Sequence, residues 1–144
     1  MRDVTCVRTA ATRLGSALGI AAAGLTLTHA VSTADPGAHQ VTYTVTTAQE
    51  ETVSLNYLAT EPASQSAYNA NPDAYLRNEQ VTIAPGAPWV FETTLTDTSW
   101  AYVMAGGATH YNGSPNPHCD IAIDGQVVTQ QDGEAGAQCA LKQW

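Results

Sequence analysis

Beyond residue 38, apolar and polar side chains alternate along most of the chain. His39 to Thr47 reads HQVTYTVTT, with Val41, Tyr43 and Val45 on one face and threonines on the other. Thr52 to Ala59 reads TVSLNYLA and repeats the pattern through Val53, Leu55 and Tyr57. A period of two marks strands with one buried face. Further strands are predicted at Gln80 to Ala84, Pro88 to Leu95, Ser99 to Ala105, His118 to Ile123, Gln126 to Gln130 and Ala137 to Lys142. Asp124-Gly125 joins two of them, and this dipeptide is a strong hairpin signal because both residues tolerate positive φ.

Two stretches break the alternation. Thr60 to Asn78 is polar, contains two prolines and predicts a long loop with one helical turn around Pro72 to Leu76. Residues 108–117, ATHYNGSPNP, form a second irregular loop. Seven or eight short strands in about 100 residues predict an all-β domain, a small Ig-like β-sandwich of about seven strands. "Ig-like" describes architecture only: Trp89 and Trp100 both precede Cys119, so the Cys…Trp…Cys order of true immunoglobulin domains is absent.

The first 34 residues follow different rules. Arg2, Arg8 and Arg13 form a basic start, an uncharged stretch runs from Leu14 to Thr28, and small residues follow at Ala30 and Ala34. This is the layout of a secretory signal peptide. The competing reading is an uncleaved anchor, which needs about 20 predominantly apolar residues. Thr26, Thr28, His29, Ser32 and Thr33 dilute the stretch when it is extended that far. The predicted organisation is therefore a signal peptide or signal anchor at 1–34 and an extracytoplasmic domain at 35–144. On this reading the protein is secreted or periplasmic, and meets the membrane only through an uncleaved N-terminal helix.

Charge narrows the partners. Past residue 34 only Arg77 and Lys142 are basic, against twelve acidic residues, a net charge of −10 with histidine neutral. Such a surface excludes nucleic acid, whose binding rests on Lys and Arg neutralising phosphates. Cys6 falls in the targeting segment and leaves Cys119 and Cys139. In an exported chain such a pair reads most simply as a disulfide. The alternative is a metal site, but two cysteines twenty apart lack the C-x-x-C spacing of zinc sites.

No nucleophile elbow, H-E-x-x-H, phosphate loop or dinucleotide fingerprint occurs. His110, His118 and Asp120, with His39, offer ligand types that suit zinc or copper, in a spacing that no metal site requires. Asp132 and Glu134 flank Gly133 and read as solvating a turn. Ser114 has no evident base nearby, and Asn112-Gly113-Ser114 is formally a glycosylation sequon. Trp89, Phe91, Trp100 and Tyr102 are spaced by two within predicted strands and read as core. Tyr68, Tyr75 and Tyr111 sit in polar loops, where tyrosine gives contact area at low entropic cost, and are the candidate ligand- or partner-binding residues. The expected class is a binder without catalytic residues, metal or cofactor.

Four stretches together resemble the mycobacterial membrane protein small (MmpS) family, accessory proteins of the large resistance–nodulation–division transporters of actinobacteria. They are VTYTVTT leading into TVSLNYL, then APWVFETTLTDTSWAYVMAGG, HCDIAIDGQVV and QCAL. The loops at 60–78 and 107–117 are longer than is usual there. The resemblance implies a periplasmic β-sandwich, a Cys119–Cys139 disulfide, an N-terminal membrane helix, and service to a transporter moving lipids or siderophores. The first functional expectation is thus a non-enzymatic transport accessory that docks on a transporter or holds an apolar ligand. The second is a secreted binding module that recognises an envelope glycan or protein through Tyr68, Tyr75 and Tyr111. A metal-dependent enzyme using His110 and His118 comes third.

Overall fold

The computed structural model describes residues 37–107 and 116–143; the expected signal peptide or anchor at 1–34 lies outside them. Among the described residues eight strands form two antiparallel four-stranded sheets. One has the order β4-β1-β6-β7, built from β1 (His39–Thr46), β4 (Trp89–Leu95), β6 (His118–Ile123) and β7 (Gln126–Asp132). The other has the order β3-β2-β5-β8, from β2 (Glu51–Leu58), β3 (Leu76–Ile83), β5 (Tyr102–Gly107) and β8 (Gly136–Ala140). Only β2–β3 and β6–β7 are consecutive partners within a sheet; every other connection passes from one sheet to the other.

The alternation read from the sequence is what buries the core. Val41, Tyr43 and Val45 of the central strand β1 are fully buried and face Val53, Leu55 and Tyr57 of β2. Leu95, Val103, Ala105, Ile121 and Ala137 complete the layer between the sheets. Each Val, Leu or Ile among them contributes roughly 1.5–3 kcal/mol by leaving water. Cys119 and Cys139 form a disulfide, with a Cα–Cα distance of 6.0 Å, that staples β6 of one sheet to β8 of the other.

The hairpin at Asp124-Gly125 is present, with φ of +50° and +82°. Ahead of it the β6–β7 register slips between Ile121 and Ala122, which leaves Val128 as an unpaired bulge residue. Pro85-Gly86 makes the other tight turn: Ala87 N–H donates to Ala84 O at 2.9 Å and Gly86 has φ +79°.

Three expectations need correcting. The third strand begins at Leu76, not Gln80, because Arg77 and Glu79 occupy inward-phase positions opposite Tyr57 and Leu55 and so hide the apolar period. Charges that point inward on an edge strand discourage pairing with foreign strands. The 60–78 stretch contains a helix, α1 (Gln65–Ala70), as well as the 3₁₀ turn Pro72–Ala74 near the expected position. Ser64 caps α1 by accepting from Ala67 N–H at 3.1 Å. Thr98–Trp100 is a 3₁₀ turn rather than the start of a strand; the Asp97 carboxylate accepts from Ser99 N–H and holds it. Trp100 and Tyr102 therefore do not share one core-facing strand.

Candidate binding face

The candidate site follows from which side chains the β3-β2-β5-β8 sheet turns outward. Val53, Leu55, Tyr57, Val103, Ala105, Ala137 and Cys139 point inward and are buried. Their neighbours must then point out, since successive strand residues face opposite sides. Those neighbours are Thr52, Ser54 and Asn56 on β2, Asn78, Gln80 and Thr82 on β3, Met104 and Gly106 on β5, and Gly136 and Gln138 on β8. None is a carboxylate, amine, guanidinium or imidazole.

Cross-strand register orders these groups in rows. Asn78, Asn56, Met104 and Gln138 lie side by side across the four strands, as do Gln80, Ser54, Gly106 and Gly136. Within the rows Asn56 Nδ2 donates to Asn78 Oδ1, Gln80 Nε2 donates to Ser54 Oγ at 3.5 Å, and the hydroxyls of Thr52 and Thr82 bond at 2.9 Å. A shallow depression on the β2–β3 pair is lined by Ser54, Leu55, Asn78, Glu79 and Gln80.

One end of this face is capped. The next outward positions, Leu58, Leu76 and Tyr102, lie where the 60–75 segment returns to the sheet, and Leu58 is fully buried. Ala59 and Thr60 both donate backbone bonds to Tyr75 O. Tyr68 packs on Trp100 with ring centroids 5.7 Å apart and lies 6.4 Å from Tyr75. Lys142 Nζ sits 3.0 Å from the Trp100 ring centre and donates to Gln65 Oε1 at 3.2 Å. Burial raises the Tyr68 phenol above its ordinary pKa, and burial with the nearby Tyr68 does the same to Tyr102.

Two of the three proposed binding tyrosines thus come together at the capped end. Both are half-buried, so part of each ring serves packing. Tyr111 lies outside the described residues, as do His110 and Ser114. The sequence reading missed the amide and hydroxyl rows. The available signal was that the polar phase of all four strands lacks charge in a strongly acidic domain.

The opposite sheet differs. Its outward residues include Glu92, Asp120, His118 and Asp132 beside Thr42, Thr44 and Thr46. His118 Nδ1 lies 2.8 Å from Asp132 Oδ1, and His39 Nδ1 lies 2.7 Å from Asp124 Oδ2. The two pairs stand at opposite ends of the β1–β6 ladder, so His39 and His118 do not converge on one ion. Among the described residues no three His, Cys, Asp or Glu side chains are grouped to hold a metal. Glu134 contributes its backbone carbonyl to Asn116 N–H, separate from the Asp132 carboxylate.

The inward aromatics form a cluster near the β3 and β4 edges. Tyr57 lies 4.6 Å from Phe91 and 4.9 Å from Trp89, and its hydroxyl donates to Glu79 Oε1 at 3.1 Å. Burial first, and then the Glu79 carboxylate, push the Tyr57 phenol up to about 12. Tyr43 is buried beside them; burial raises its pKa, and its hydroxyl lacks a well-formed hydrogen bond, with only the Tyr102 backbone acting on it.

With the sandwich and its faces defined, comparison with known proteins places the chain. Residues 43–139 match the family described as the Rv2576c beta-sandwich domain. The chain belongs to that family. It is 41% identical over 145 residues to the uncharacterized protein Rv2576c of Mycobacterium tuberculosis (strain H37Rv), covering 99% of this chain and 92% of that protein. The uncharacterized protein Mb2606c of Mycobacterium bovis matches with the same identity and coverage. The matched family is described by its sandwich and not by transport, so the transport expectation rests on the strand-order resemblance alone.

Proposed function

We propose that this protein is a non-catalytic binding module, exported from the cytoplasm, that engages a component of the cell envelope through the outer face of the β3-β2-β5-β8 sheet. One observation carries the reading: the outward rows of that sheet are uncharged amides and hydroxyls, in a domain of net charge −10 whose other sheet displays Glu92, Asp120 and Asp132. Charge keeps a surface soluble and unassociated. Its omission from these outward rows leaves hydrogen-bonding groups to be matched by a partner. The tyrosine-rich cap at the end of that face adds aromatic contact area in rigid form.

The test is site-directed photocrosslinking in cells. A photoreactive residue replacing Gln138 on the proposed face is expected to capture envelope material. The same residue replacing Thr44 on the other sheet is expected to capture none. Equal capture from both positions overturns the assignment of the face. Capture of a large membrane transporter from Gln138 would instead establish the transport-accessory role.

A further inference from the structure

We infer, independently of the binding face proposed above, that β7 is an interface strand. Two copies of this chain pair antiparallel through their β7 edges, about a twofold axis, and join their β4-β1-β6-β7 sheets into one continuous sheet.

β7 is the least covered strand of the domain. It bonds to β6 alone and forms one end of its sheet. None of its seven residues is buried, and all but Thr129 are exposed. Gln131 is exposed even though it lies opposite the fully buried Cys119 and so shares its inward phase. Cys119 is bonded to Cys139 of β8, the last strand of the facing sheet. That sheet therefore ends over β6, and β7 projects past it. The free side of such a strand presents a row of unpaired N–H and C=O groups, a template for another chain.

The other sheet ends are guarded. Charge, proline and short length are the usual devices that keep an edge single. β3 carries Arg77 and Glu79 in its inward phase. β4 follows Pro88 and carries Glu92, and β8 has only five residues. β7 reads QVVTQQD, with neither proline nor glycine and no charge before Asp132. Runs of this kind, high in β-propensity and low in charge, pair readily with other strands. Val127 and Val128, 58% and 48% exposed, stand side by side on it, and with Thr129 and Gln130 they line a shallow depression. The bulge at Val128 twists the edge. Twist disfavours an open-ended stack of flat strands more than one short antiparallel pair.

Charge and closure select a second copy as the occupant. Each copy brings the same uncharged run to the contact. In an antiparallel pair centred on Thr129, Asp132 of each copy stands opposite Gln126 of the other, so no carboxylate meets another. A basic strand would find one carboxylate, Asp132, at the far end of the edge. Isologous pairing also stops by itself: it consumes β7 in both copies and leaves β4, with Pro88 and Glu92, at each end of the joined sheet. The outer faces of both β3-β2-β5-β8 sheets stay open, and joining two binding faces raises avidity without any new contact.

Sedimentation velocity of the full chain tests this. One strand edge is smaller than a standard interface, so a dissociation constant on the order of 100 μM is expected. Val128→Lys places an edge charge at the contact and is expected to weaken the dimer roughly tenfold or more. Val90→Lys, at a valine of similar exposure (50%) on β4, is expected to leave it unchanged. Added salt screens the two copies, each of net charge −10, and is expected to strengthen the dimer. Should Val128→Lys fail the fold check by circular dichroism, Gln130→Lys takes its place with the same expected loss. Three results overturn the pairing: a monomer at all concentrations up to about 1 mM, a dimer that the β7 lysine leaves intact, or a dimer that salt weakens. A monomeric chain whose β7 edge, carrying a photoreactive residue at Gln130, captures a different protein in cells would likewise overturn it in favour of a foreign strand.

Discussion

His39 and Asp124, eighty-five residues apart, join the start of β1 to the turn of the β6–β7 hairpin through a 2.7 Å contact between Nδ1 and Oδ2. The second carboxylate oxygen accepts the Gln40 amide at 3.0 Å, and Asp124 N–H donates to Gln40 O at 2.8 Å. The hydrogen bond from His39 and then that from Gln40 hold the Asp124 carboxyl below its ordinary pKa. A carboxyl lowered in the folded state stabilises it above the unfolded pKa, and that contribution disappears as pH falls through the lowered value. His39→Ala is therefore expected to move Asp124 back up towards the usual carboxylate range. A carboxyl-carbon NMR titration checks this, and an unmoved Asp124 would mean that the Gln40 amide alone sets its acidity.

The Cys119–Cys139 bridge closes a loop of separation 20 between the sheets. Replacing both cysteines with alanine is expected to cost about 3 kcal/mol, chiefly by freeing the unfolded chain. Urea unfolding, with and without reductant, measures it. A loss below about 1 kcal/mol would show that the buried layer holds the sheets together without the staple.

These pairs show which parts of the fold were legible in the sequence. β1 from Val41 and β2 from Val53 to Tyr57 alternate with one face buried, so their period of two reports burial directly. The Asp124-Gly125 turn also follows from local chemistry, and the disulfide from the pair of cysteines left in a chain read as exported. The first half of β3 does not, since an edge strand can place Arg77 and Glu79 in the inward phase and lose its apolar signal. Helix α1 is six residues long with no buried residue, too short to carry an apolar stripe. The binding face was hidden for another reason: Asn56, Asn78, Gly106 and Gln138 are unremarkable singly, and only strand order and register bring them into adjacent rows.

Tyr57 offers a second titration. Its phenol is raised to about 12 by burial and by donation to the Glu79 carboxylate. A raised phenol contributes stability that is fully present below the ordinary value of about 10 and is lost as pH rises through the folded value. Glu79→Gln removes the carboxylate and is expected to lower the Tyr57 pKa while burial keeps it above 10. Ring-labelled tyrosine NMR follows the change. A Tyr57 resonance that titrates identically in the variant would assign the whole effect to burial.

The cap over the sheet end is held by Lys142, whose ammonium lies over the Trp100 ring and donates to Gln65 of α1. Cation–π contacts contribute about 0.5–1 kcal/mol where partly exposed, and a six-residue helix has little stability of its own. Lys142→Met keeps much of the apolar stem and removes both interactions. The expected result is a global stability loss of about 1 kcal/mol or less, with a larger local effect: faster hydrogen exchange at the Tyr68 and Asn71 amides, which close the α1 bonds to Ser64, Ala67 and Tyr68. Amides of Tyr43 and Val45 in β1, whose protection depends on global unfolding, should accelerate only in step with the global loss, at most about fivefold. Uniform acceleration across both sets would mean that the cap and the sandwich open together. In that case Lys142 secures the whole fold rather than one end of the face.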